Sequence, residues 1–169
     1  MALVVEDGSN VAGANSYATA AGFSTYYSDR GIIISGATTA NIEGWLIRAT
    51  DFIDQRQGYQ GHKTTESQPL QFPRYGLWVD DYAVDSDEIP QVLIDAQYAV
   101  AYRLYSGDDI NPSQTPTDKG EVISEKVGSL ERKYSSSNGK ATMRRPYYPE
   151  VESLLSRLSV TGGLWITRA

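Results

Sequence analysis

Between Lys133 and Tyr148 the chain gathers cations and rings: Lys133, Tyr134, Lys140, Arg144, Arg145, Tyr147 and Tyr148. Ammonium and guanidinium groups neutralise phosphates, and aromatic faces stack on unpaired bases, so this mixture can hold a single-stranded nucleic acid. Lys126 and Arg132 extend the same segment. The six cations Lys126, Arg132, Lys133, Lys140, Arg144 and Arg145 are therefore the candidate contacts to DNA or to a neighbouring subunit. The rings also admit a packing role. Tyr147-Tyr148-Pro149 has the form of a helix entry, where the two tyrosines would cover a preceding hairpin.

Other stretches offer little chemistry. The single histidine, His62, lies in GYQGHKTT without an Asp, Glu or Cys at ligand spacing, and reads as a surface or packing residue. No serine has a G-x-S-x-G context and no glycine-rich run precedes a Lys-Ser/Thr pair. Asp80, Asp81, Asp85, Asp87 and Glu88 form a dense acidic cluster. Their spacing lacks the central glycine and closing glutamate of a calcium loop, so they read as charge placed before a helix N-terminus. The expectation is a protein that is not an enzyme and uses no metal or cofactor.

These residues need elements to position them, and the organising one is SDEIPQVLIDAQYAVAYRLYSG, from Ser86 to Gly107. Ile89, Leu93, Ala96, Val100 and Leu104 recur at three- and four-residue spacing, Pro90 suits the first helical turn, and Gly107 offers a left-handed stop. So apolar a helix needs partners on more than one side. A second helix runs from about Ala40 to Gln57 behind a Thr38 or Thr39 cap, with Ile42, Trp45, Leu46, Ala49, Phe52 and Ile53 facing the first. Arg48, Asp51, Asp54 and Arg56 mark its solvated side. An earlier helix starts near Ser16, burying Tyr17, Ala20, Ala21, Phe23 and Tyr27, although Gly22 weakens it by roughly 1 kcal/mol relative to alanine. A last helix begins at Pro149 and carries Val151, Leu154, Leu155 and Leu158.

Shorter pieces complete the chain. ALVV at residues 2–5 predicts a brief strand. The connection 58–85 predicts short extended pieces pinned by aromatic rings and used for contact with another chain. Residues 121–134 predict a hairpin turning at Gly128-Ser129. The class is mainly α, a small bundle of about four helices with one hairpin and an extended C-terminal arm. A single domain spans 1–158, and the arm spans 159–169. That arm, ending GGLWITRA, is apolar beyond any helix the core needs, and exposed it would be a liability. It is expected to dock into a neighbouring subunit or partner.

At 169 residues, with 40% hydrophobic and 21% charged residues, the composition is that of a soluble globular protein. No apolar run is long enough to cross a membrane, no signal-peptide pattern opens the chain, and the absence of cysteine fits a cytosolic protein. The net charge of −6 argues against a dedicated nucleic-acid binder but leaves room for a local basic patch.

Together ALVVEDGSNVAGANSYA, WLIRATDFIDQR, LQFPR, SDEIPQVLIDAQYAVAYRL, SEKVGSLERKY and YPEVESLL resemble a family of tailed-bacteriophage head-tail connector (adaptor) proteins, some members of which are labelled DnaT-like single-stranded-DNA-binding proteins. The resemblance implies a structural, portal-binding protein of the virion, made in the host cytoplasm and sited at the head–tail junction. It would form a homo-oligomeric ring of twelve subunits that binds the portal and a tail or nozzle protein while double-stranded DNA passes through. Twelve copies would carry roughly −72, a conduit that repels DNA and lets it slide. The tail that inserts into the portal would here be Leu164, Trp165, Ile166 and Arg168. The DnaT-like label implies the alternative, binding of single-stranded DNA.

Overall fold

The computed structural model describes residues 2–56, 58–111 and 146–160, and the backbone of two strands between 122 and 134. The chain forms two compact units, 1–110 with 147–169, and 111–146. The first unit is helical and is built around α3, Gln91–Tyr105. Leu93, Ala96, Val100 and Leu104 are buried as their spacing predicts, and Val92, Tyr98 and Ala101 widen the apolar face so that it has neighbours on two sides. One neighbour is α2, Thr39–Asp54, and the other is α4, Pro149–Ser156. Pro90 sits one position outside the helix, as an extended N-cap whose carbonyl accepts from the Leu93 N–H at 2.9 Å. Gly107, at φ +91°, supplies the left-handed stop.

Helix α2 opens with a reciprocal cap. The Thr38 hydroxyl accepts from the Asn41 N–H, and the Asn41 side chain accepts from the Thr38 N–H. Ile42, Leu46, Ala49 and Ile53 are buried, while Trp45 and Phe52 are half-buried against Tyr105 and Tyr148. Helix α4 runs antiparallel to α3. Arg103 in the last turn of α3 pairs with Glu150 in the first turn of α4, and Arg157, just past α4, pairs with Asp80.

The N-terminal region departs from expectation. Helix α1 is Ala20–Ser28, starting four residues after Ser16. Residues 16–18 are not helical because their polar groups are committed elsewhere: the Ser16 hydroxyl bridges the Ala18 backbone, and the Tyr17 N–H donates to Gln97 Oε1 at 3.2 Å. Tyr17, Phe23 and Tyr27 are buried, but Ala20 is half-buried and Ala21 exposed. Gly22 is explained by packing, since a Cβ there would lie 2.4 Å from Tyr98 Oη. No strand forms at 2–5, only an isolated bridge between Val5 and Ser16.

The long connection folds into two small antiparallel hairpins, β1 (His62–Lys63) with β2 (Arg74–Tyr75), and β3 (Leu77–Val79) with β4 (Tyr82–Val84). Asp80 and Asp81, at φ 50° and 67°, make the tight turn between β3 and β4. Strand alternation buries Leu77 and turns Trp78 outward. In the second unit β5, Val122–Lys126, pairs antiparallel with β6, Glu131–Tyr134, with an irregularity between Val122 and Ser124. The expected turn at Gly128-Ser129 and the loop 135–145 lie outside the described residues.

Candidate nucleic-acid interface

Charge is divided between the two units. Residues 111–146 contain seven Lys and Arg against four Asp and Glu, a balance of +3, whereas the rest of the chain carries eight against seventeen, a balance of −9. Within the hairpin, Lys126 stands opposite Glu131 in the register, and Arg132 stands opposite Glu125. Opposite charges at paired positions offset each other. Lys133 stands opposite Ser124, so it is the strand cation without an acidic cross-strand neighbour. The net positive charge thus resides in Lys133 and in Lys119, Lys140, Arg144 and Arg145, of which the last four lie outside the described residues.

The rings of the predicted constellation divide as well. Tyr147 is 72% exposed and free to stack. Tyr148 is the half-buried N-cap of α4, its ring 6.0 Å from Phe52 and 5.4 Å from the Arg103 guanidinium, so it serves packing. Sequence reasoning missed two further rings on the first unit, Trp78 at 55% and Tyr82 at 78% exposure. Period-two alternation in LWV was the available signal for Trp78. His62 is exposed and lies against Tyr75 at 5.4 Å, a surface packing role. Leu164, Trp165, Ile166 and Arg168 lie outside the described residues.

The body that carries these surfaces is held by buried polar groups. Glu6, 2% exposed, accepts from the backbone N–H groups of Gly8, Asn10 and Val11 at 2.9 Å each, which fixes the Gly/Asn-rich loop. Asp54, assigned from sequence to the solvated side of α2, instead faces the loop that crosses it. Its Oδ1 accepts from the Tyr17 hydroxyl at 2.6 Å and its Oδ2 from the Gln71 N–H at 3.0 Å. Arg56, also assigned to solvent, pairs with Glu152 of α4. Both corrections have one cause: the 58–76 connection and α4 cover the C-terminal end of α2. Among the described residues no cluster of His, Cys, Asp and Glu could hold a metal ion.

Burial pushes the Asp54 carboxyl up from 3.8 to about 6, outweighing the bonds from Tyr17 and Gln71 that favour its charged form. The native state then holds this proton more tightly than the unfolded chain does. Stability from this group is therefore complete below about pH 4 and is lost as pH rises through about 6, a span worth on the order of 3 kcal/mol. Asp54→Asn, which cannot ionise, should flatten that part of the profile in urea unfolding between about pH 4 and 7. Parallel profiles for the two proteins would mean that Asp54 titrates at its ordinary value.

A family model described as "Putative DnaT-like ssDNA binding protein" matches residues 1–169. No curated protein and no solved structure matches the chain.

Proposed function

Because the chain belongs to this DnaT-like family, we propose that it is a single-stranded-DNA-binding module whose contact surface is the basic segment 119–145. The observation that carries the reading is the division of charge, +3 on the unit containing this segment against −9 on the remainder. Lys133, Lys140, Arg144 and Arg145 meet phosphates, and Tyr134 and Tyr147 offer faces to unpaired bases. The acidic body repels the same polyanion, which confines it to the basic unit.

Fluorescence anisotropy with a labelled oligothymidylate at about physiological salt tests this. Binding is expected at micromolar or tighter affinity. Arg144→Ala with Arg145→Ala should weaken it about tenfold or more and lower the slope of log K against log salt by about 1.4, from roughly 0.7 per lost phosphate contact. Unchanged affinity in the double variant would move the contact off this segment.

The second reading is the head–tail adaptor, a ring-forming, non-enzymatic virion component. It is favoured by the acidic balance of the whole chain, −6, which suits a DNA conduit better than a DNA store. None of the comparisons speaks for a connector, so it stands second. Absence of oligonucleotide binding at tens of micromolar, together with a ring-sized species in light scattering, would reverse that order.

A further inference from the structure

On the first unit, the β3–β4 hairpin, the start of α3 and the end of α4 enclose an open groove of about 260 Å³. Its floor is apolar, from Val79, Val84, Pro90 and Val92, and its acidic side groups are Glu88 and Asp95. Arg157 also lines it but is paired with Asp80. The groove therefore suits an occupant that is apolar first and basic next to that. The chain contains such a segment, Leu164-Trp165-Ile166 followed by Arg168, and it leaves the body beside the groove. Arg157 is a lining residue, and the Val160 N–H donates to the Gly58 carbonyl at 2.8 Å, which anchors the last described residue.

We infer that residues 161–169 of the same chain occupy this groove, with Leu164, Trp165 and Ile166 on the valine and proline floor and Arg168 toward Glu88 and Asp95. Two arguments choose the chain's own segment over a second copy. Four residues separate Val160 from Leu164, a reach of roughly 13 Å, and Gly162-Gly163 permits the chain to reverse within it. A tether this short presents the segment at an effective concentration on the order of millimolar, above that of any second copy in dilute solution. Covering the floor removes both the indole and the valines from water. The groove is then a resting seat, from which a partner that binds the apolar tail must compete it away. This inference does not depend on DNA binding.

The chain has no cysteine, which makes a cross-linking test direct. In the full-length protein, Val84→Cys with Ile166→Cys, and separately Val79→Cys with Ile166→Cys, are oxidised under mild conditions and separated without reductant. Thermal melts confirm that each variant folds. The expected result is a monomeric cross-link in at least one pair, at a yield unchanged by tenfold dilution, and none for Ser28→Cys with Ile166→Cys. Ser28 lies just past Tyr27, which stacks on Tyr102 toward the far end of α3, about 22 Å along a 15-residue helix from the groove. A disulfide-linked dimer that fades on dilution would assign the groove to a second copy and overturn the inference. Absence of any cross-link in both groove pairs, or equal cross-linking in the Ser28 pair, would overturn it too.

Discussion

Phe72→Ala is expected to lower the unfolding free energy by about 4 kcal/mol, at the upper end for a single buried ring. The phenyl group is fully buried and meets Tyr17 and Tyr59 edge-on, with centroids 6.1 and 5.0 Å away. Its own backbone N–H donates to the Tyr17 hydroxyl at 3.3 Å, beside the Gln71 N–H that donates to the same oxygen at 3.1 Å. Removing the ring leaves a cavity where the 58–76 connection is clamped to α2, and the surrounding aromatic side chains are too constrained to fill it. Water reaching Asp54 should follow, so the variant should also lose part of the pH dependence ascribed to that carboxyl. Urea unfolding with an unchanged m-value measures the effect. A loss under about 1 kcal/mol would mean the connection is not clamped by this ring.

Gln97→Leu should cost about 3 kcal/mol despite its similar size and greater hydrophobicity, because it strands several buried partners at once. Gln97 is fully buried in α3; its Nε2 lies 2.7 Å from the Ser16 hydroxyl, 2.8 Å from the Thr50 hydroxyl and 3.0 Å from the Leu46 carbonyl. Its Oε1 accepts from the Tyr17 N–H. One side chain thus ties the N-terminal segment and α2 to α3. Gln97→Glu retains the acceptor but loses the donor and buries a charge, so at neutral pH it should be at least as damaging. Thermal melts of both variants decide the matter; a leucine variant as stable as the parent would show that these partners find water or each other.

Much of the helical body was legible in the sequence, because a single helix face depends on residues three or four apart. Leu93, Ala96, Val100 and Leu104, and likewise Ile42, Leu46, Ala49 and Ile53, declare their burial by period alone. The charge division was equally legible, since a balance of +3 against −9 needs only counting once the unit boundary is drawn. Polar burial was not. Glu6 looked like the end of a strand, Asp54 like a solvated charge and Gln97 like one more helix residue. Each became structural only when a distant segment arrived: Tyr17 lies 37 positions from Asp54, and Ser16 lies 81 from Gln97. A polar side chain is stable inside when its partners are there to meet it, and no local pattern encodes partners so far along the chain. Gly22 teaches the same lesson for shape, costing helix propensity within α1 and repaid only where Tyr98 crosses it.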